Sequence, residues 1–142
     1  MLRGVATVNY FADDVIAART WYTELLGIVP YFERPDSANP AYIEFRIGDY
    51  LDELGIIDSR YSPSGPAIAP GGSITYWHVD DLAGVYEKLR SMGAIKHDKP
   101  TERGSGFITA SVIDPFGNIL GIMFNPHYRE VLGEFTSSAL QQ

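Results

Sequence analysis

Phe107–Phe124 reads FITASVIDPFGNILGIMF, and its pattern predicts two strands, Phe107–Ile113 and Ile119–Asn125, closed by Asp114-Pro115-Phe116-Gly117-Asn118. Asp at the first turn position, Pro at the second and Gly after the bend suit a type I turn with a left-handed exit. A tight hairpin follows. Leu120, Ile122 and Phe124 alternate with Ile119, Gly121, Met123 and Asn125, so one face can pack on helices while the other lines something open.

Working outward from this hairpin, the chain runs through the same order twice. Gly4–Phe11 reads as a strand, with Ala6, Val8 and Tyr10 on one face and Thr7, Asn9 and Phe11 on the other. Asp13-Asp14 supplies an N-cap, Val15, Ala18, Tyr22 and Leu25 recur at helical spacing, and Gly27 closes the helix. A short strand is expected at Ile28–Glu33 and a loop at Pro35–Pro40. A hairpin, Ala41–Ile47 with Tyr50–Ile57, places Ile43, Phe45, Leu54 and Ile56 on its core face. Ser59–Gly72, rich in Pro, Gly and Ser, reads as a connector with only Ile68 to pack. Ser73–Val79 then repeats the strand, and Asp80-Asp81 the cap. Leu82, Val85, Tyr86 and Leu89 repeat the stripe, and Gly93 the stop. Ala94–Lys99 is the next expected strand, Pro100–Gly106 a loop, and the quoted hairpin completes the second unit. Beyond Tyr128, brief packing over Arg129–Phe135 and fraying over Thr136–Gln142 are expected. The internal repeat predicts one α+β domain over 1–142. It contains two strand–helix–strand–strand–strand units, at about 3–58 and 73–128, with the linker at 59–72.

The 142 residues suffice for one such domain, and 45% apolar with 20% charged residues fits a globular chain. With no cysteine, disulfides, thiolate metal sites and cysteine nucleophiles are excluded. The net charge of −7 comes without a basic cluster, which argues against nucleic acid. No apolar run approaches a membrane span, and Met1–Tyr10 lacks signal-peptide character, so a cytoplasmic protein is expected.

Three stretches carry a family resemblance: Ala12–Gly27 (ADDVIAARTWYTELLG), Ile74–Gly93 (ITYWHVDDLAGVYEKLRSMG) and Phe107–Phe124. In this order and spacing they resemble the vicinal oxygen chelate superfamily, which holds glyoxalases, extradiol dioxygenases and bleomycin-resistance proteins. The resemblance covers about residues 3 to 128. It implies the glyoxalase/bleomycin-resistance fold: two βαβββ units forming a curled, mostly antiparallel eight-stranded sheet around a concave pocket. Structurally, Asp14 and Asp80 are expected to cap helices, and Trp21 and Tyr22 to fill the helix–sheet core.

The metal-dependent relatives hold a divalent ion with His, Gln or Glu on four strands. Carried onto this chain, those positions fall on Thr7, on Glu53 (or Gly55 in the other register), on Ile74 and on Gly121. Ile and Gly offer no donor and a neutral Thr hydroxyl is a weak ligand, so no metal and no cofactor is expected. Of the three histidines, His78 shares a face with Ile74 and Tyr76, His97 is expected to be exposed, and His127 follows Pro126 near the hairpin end.

By alternation the concave faces offer Thr7, Asn9, Glu53, Ile74, Tyr76, His78, Phe107, Ser111, Gly121 and Met123, an apolar and aromatic lining with a few polar groups. Gly121 is read as leaving room for a ligand, Tyr76 and Phe107 as stacking surfaces, and Glu53 as a partner for a cation. The first functional expectation is a metal-free protein sequestering an apolar or aromatic, possibly cationic, small molecule, as a homodimer by resemblance. The alternative is an enzyme of the same superfamily, a glyoxalase-like lyase or isomerase or a dioxygenase-like protein, with a rearranged or metal-free site. Its acid/base candidates are His78, Glu53 and Tyr76. A purely structural role is the third.

Overall fold

The computed structural model of the protein describes residues 1–65 and 69–141, so Ile68 lies outside the described residues. Contacts divide the chain into two units, Met1–Pro70 with Pro115–Asn118, and Gly71–Asp114 with Ile119–Gln142.

The first unit contains β1 (Val8–Ala12), α1 (Val15–Leu26), β2 (Phe32–Arg34), β3 (Tyr42–Ile47) and β4 (Asp52–Asp58). Its sheet has the order β1-β4-β3-β2, with β1 parallel to β4 and the other pairs antiparallel. Asp14 caps α1 by accepting from the Ala17 N–H at 2.9 Å, and Gly27 ends it in the left-handed region at φ 70°. Val15, Ala18 and Tyr22 of α1 are buried, as are Tyr10, Ala12, Ile43, Phe45, Leu54 and Ile56 of the strands. The hairpin face Ile43, Phe45, Leu54 and Ile56 is the one the alternation assigned, whereas Leu25 of the helical stripe is only half-buried. Burying each large side chain of this set contributes about 1.5–3 kcal/mol. Trp21 is only half-buried and stands edge-on to Tyr22 and to Phe116 of the 114–118 turn.

That turn belongs to the first unit through one side chain as well. The Phe11 N–H donates to Asn118 Oδ1 at 3.0 Å, and Asn118 Nδ2 donates to the Phe11 carbonyl at 2.9 Å. β1 is an edge strand. The Asn118 amide therefore satisfies both backbone groups that Phe11 turns away from β4, as a neighbouring strand would.

The second unit contains β5 (Tyr76–His78), α2 (Leu82–Ser91), β6 (Ile95–Gly104), β7 (Phe107–Ile113), β8 (Ile119–Phe124) and α3 (Pro126–Leu140). The sheet order is β5-β8-β7-β6, again with its first strand parallel to its last and the rest antiparallel. Leu82, Tyr86 and Leu89 of α2 are buried, as are Ala110, Val112, Leu120 and Ile122. The eight strands thus fall into two four-stranded sheets, each from one βαβββ unit. Among the described residues no helix is long and apolar enough to cross a membrane.

Several boundaries depart from the pattern. Thr7 and Ile74 precede their strands, because β1 starts at Val8 and β5 at Tyr76. The strand expected at Ile28–Glu33 is Phe32–Arg34. Pro30 has no N–H, and pairing begins only where the Tyr31 N–H reaches the Glu44 carbonyl at 3.0 Å. The cap of α2 is Asp81, whose Oδ1 accepts from the Gly84 N–H at 3.0 Å, whereas Asp80 lies against His78. The connector opens with a turn of 3-10 helix at Ser59–Tyr61. The loop expected at Pro100–Gly106 is mostly strand. β6 runs ten residues along β7 with register shifts, one of them between Asp98 and Thr101, so that Pro100 sits where the ladder is interrupted. The expected brief packing and fraying after Tyr128 are replaced by α3, capped by Asn125 accepting from the Tyr128 N–H and carrying a proline in its first turn.

Candidate functional site

Each sheet has one face on its helix and one face away from it. In the first unit the second face carries a rung formed by Asn9 of β1, Gly55 of β4, Glu44 of β3 and Phe32 of β2, followed by the pair Arg46–Glu53. A Cβ on Gly55 would meet Asn9 Oδ1 and, at 2.8 Å, the Tyr42 ring. The glycine is what lets those two side chains lie over the strand.

Glu44 is the centre of this face. Its two carboxylate oxygens accept the hydroxyl hydrogens of Tyr31 and Tyr42. Phe32 sits between the two phenols, 6.5 Å from the Tyr31 ring and 6.3 Å from the Tyr42 ring. The Arg46 guanidinium lies 4.9 Å above the Tyr31 centroid, and its Nη2 is 3.6 Å from Glu53 Oε2. Burial pushes Glu44 upward. The phenol donors Tyr31 and Tyr42, with Glu53 and the Arg46 charge, outweigh it and hold the carboxyl below its ordinary value. Tyr42 is raised, by burial first and then by its bond to Glu44; Tyr31 is raised chiefly by that bond.

These shifts fix the sign of a pH dependence. Glu44 has a lowered folded value, so its contribution to stability is complete above the ordinary 4.5 and fades as pH falls through the folded value. Tyr42 has a raised one, so its contribution is complete below 10.0 and fades as pH rises through the folded value. Urea midpoints measured across pH should therefore show a shallower acid limb for Glu44→Gln than for the wild type. Identical acid limbs would mean that the carboxylate contributes nothing to stability.

The second unit's matching face is more closed. Its rung joins Tyr76, Gly121 and Ser111. Tyr76 is 38% exposed. A Cβ on Gly121 would lie 2.6 Å from the Thr75 carbonyl oxygen, 2.8 Å from the Tyr76 ring and 3.0 Å from Ile74 Cγ2. The space read from sequence as room for a ligand is taken by Tyr76 and by the residues leading into β5, where the Thr75 carbonyl accepts the Gly121 N–H at 3.1 Å. Ser111 is fully buried with its Oγ 2.7 Å from His97 Nδ1. The two form a hydroxyl–imidazole pair, but a wholly buried hydroxyl cannot meet a substrate carbonyl. His97 is exposed, as expected. Met123 lies half-buried between His78 and Thr109 in the ladder, and Phe107 meets His127 edge-on at 5.1 Å.

His78 is tied into the scaffold. Its Nδ1 accepts from the Asn125 N–H at 3.2 Å, Nε2 lies 3.2 Å from Asp80 Oδ1, and its ring stacks on Tyr128 at 4.4 Å. An Nδ1 that accepts leaves the ring hydrogen on Nε2, which donates to Asp80. The lone pair a general base needs is thus engaged by the backbone.

The four positions carried over from the metal-dependent relatives do not fit a divalent ion. Ile74 and Gly121 have no donor, Thr7 bonds Asn9, and Glu53 faces Arg46. Among the described residues no group of three His, Asp or Glu could hold one. A cleft of about 510 Å³ lies in the second unit beside Asp80, Leu82, Pro100, Glu102, Ile108 and Phe124, and one of about 230 Å³ lies in the first beside Phe11, Asp13, Ser59 and Phe116. Neither is lined by any of the ten expected ligand residues. Sequence reasoning named Asn9 and Glu53 but missed Tyr31, Phe32, Tyr42, Glu44 and Arg46. The signal was there: with Ile43 and Phe45 on the core face, Tyr42, Glu44 and Arg46 must take the other.

A family model described as Glyoxalase/Bleomycin resistance protein/Dioxygenase superfamily matches residues 4–122. No curated protein matches the chain. Among solved structures, a glyoxalase-related enzyme from Fulvimarina pelagi is 25% identical, covering 88% of this chain and 90% of its own, with a TM-score of 0.68. TnmS3, an antibiotic binding protein from Streptomyces sp., is 20% identical over 85% of this chain and 94% of its own, with a TM-score of 0.64. A glyoxalase / bleomycin resistance protein from Catenulispora Acidiphila is 21% identical over 84% and 96%, with a TM-score of 0.59. With two βαβββ units in the structure and a family match across most of its length, the chain belongs to the Glyoxalase/Bleomycin resistance protein/Dioxygenase superfamily.

Proposed function

We propose that this chain is a metal-free protein that binds and sequesters an apolar or aromatic small molecule, cationic ones included, and that it works as a cytoplasmic homodimer. The observation that carries the reading is Glu44, a carboxylate gripped by two phenols on the sheet face that no helix of its unit covers, with Phe32 and Arg46 beside it. General acid/base catalysis works best with a group that titrates near the operating pH. Glu44 is held below its ordinary range and Tyr42 above its own, so at neutral pH the cluster keeps its protons where they are. Fixed hydrogen-bonding groups among exposed aromatic rings are the furniture of a binding site. The fold neighbour described as an antibiotic binding protein supports the same direction.

A ligand present at a hundred times its Kd stabilises the fold by about 2.7 kcal/mol. Thermal melts should therefore rise with aromatic compounds and stay unchanged with Ni, Zn, Fe or Mn. A metal-dependent rise would count heavily against sequestration. The enzyme reading, built on His78, Glu53 and Tyr76, has the Nδ1 contact of His78 against it. Turnover of methylglyoxal hemithioacetal or a catechol that disappears in His78→Ala would restore it.

A further inference from the structure

We propose, resting on the ligand-binding reading above, that the corner between Tyr31, Glu44 and Glu53 is the seat for an organic cation, a protonated amine or amidine carried on an aromatic body, and that Arg46 fills this seat until the ligand arrives. The corner brings two carboxylates against one guanidinium, so one negative charge is left over. Each phenol has given its hydrogen to Glu44 and has only acceptor lone pairs to offer. Acceptors, negative charge and an aromatic face together select a ligand that donates and is positive. An anion would meet two carboxylates. A metal ion finds no group of three ligating side chains among the described residues.

Arg46 marks the seat and is loosely held in it. Beyond its place over the Tyr31 ring, its polar contacts are a 3.6 Å ion pair to Glu53 and a long 3.5 Å contact to the Leu51 carbonyl, neither a strong hydrogen bond. Its side chain is 48% exposed, so the head can swing into water while the stem stays on the sheet. A resident cation of this kind lowers apparent affinity in proportion to the time it fills the seat.

The test is calorimetric titration with benzamidine and with its neutral isostere benzamide, on the wild type, Arg46→Met and Glu53→Gln, each checked for an unchanged melting temperature. Benzamidine should bind about tenfold tighter than benzamide. Arg46→Met should tighten benzamidine about three- to tenfold and leave benzamide alone. Glu53→Gln should weaken benzamidine about tenfold. If both probes bind alike in all three proteins, the cation seat falls and the small-molecule reading stands. If Arg46→Met weakens benzamidine, Arg46 is part of the binding wall and the proposal is overturned. If neither probe binds at millimolar concentration, both readings fall.

Discussion

Replacing Asn118 by alanine will lower the stability of the protein by about 2–3 kcal/mol, because it strands two backbone groups of Phe11 at about 1 kcal/mol or more each. The Phe11 N–H and carbonyl lie on the outer edge of β1, part-buried, and both bond the Asn118 amide. Asn118→Asp distinguishes this bridge from mere turn preference, since aspartate is also a favoured turn residue. Its carboxylate would still accept from Phe11 N–H but would set a second oxygen against the Phe11 carbonyl. At neutral pH it should be no better than alanine. Below about pH 4 the acid gains an O–H and part of the loss should return. Urea midpoints at constant m report all three proteins. An Asn118→Asp protein as stable as wild type at pH 7 would show that the Nδ2 contact carries no weight.

The parts of this fold that the sequence displays are those where burial forces a pattern. Ile43, Phe45, Leu54 and Ile56 had to alternate because one face of their hairpin packs on α1, and all four are buried. The two helices between Asp and Gly follow for the same reason. α3 was missed because it has no buried residue, so nothing demanded an apolar stripe; Val131, Phe135 and Leu140 are exposed. Its one local signal, Asn125 before Pro126, is a capping signal rather than a packing one. β6 was half missed because it is an edge strand, where charges and proline are tolerated and alternation relaxes. In the candidate site, alternation places Glu44 and Tyr42 on the open face but cannot bring Tyr31 to them. That contact depends on the register of a three-residue strand, which the Tyr31 N–H bond to the Glu44 carbonyl and the Ala41 N–H bond to the Arg34 carbonyl flank at its two ends. Nor can a pattern say what fills the space above a glycine.

That last gap is where the second large effect lies. Gly121→Ala will cost about 3 kcal/mol, and Gly55→Ala no more than about 1–2 kcal/mol, the upper and lower parts of the range for overpacking. The two glycines hold corresponding places in the two sheets, each on the last strand of its unit opposite a residue of the first. What lies above them differs. At Gly121 the nearest atom to a new Cβ is the Thr75 backbone oxygen, 2.6 Å away, and that oxygen also accepts the Gly121 N–H. Relieving the clash means pushing β5 off β8. At Gly55 the obstacles are the exposed Asn9 side chain and the Tyr42 ring, which can turn aside without moving a strand. Alanine also restricts the unfolded chain, offsetting about 0.4–1 kcal/mol in both proteins, which brings Gly55→Ala close to neutral but leaves Gly121→Ala clearly destabilised. Ligand binding should order the pair the other way. A displaced Tyr42 can no longer hold Glu44, so Gly55→Ala should lose aromatic-ligand affinity while keeping most of its stability. Melting curves and ligand titrations on both variants decide the matter, and equal losses of stability at the two glycines would remove the distinction between a backbone-filled and a side-chain-filled cradle.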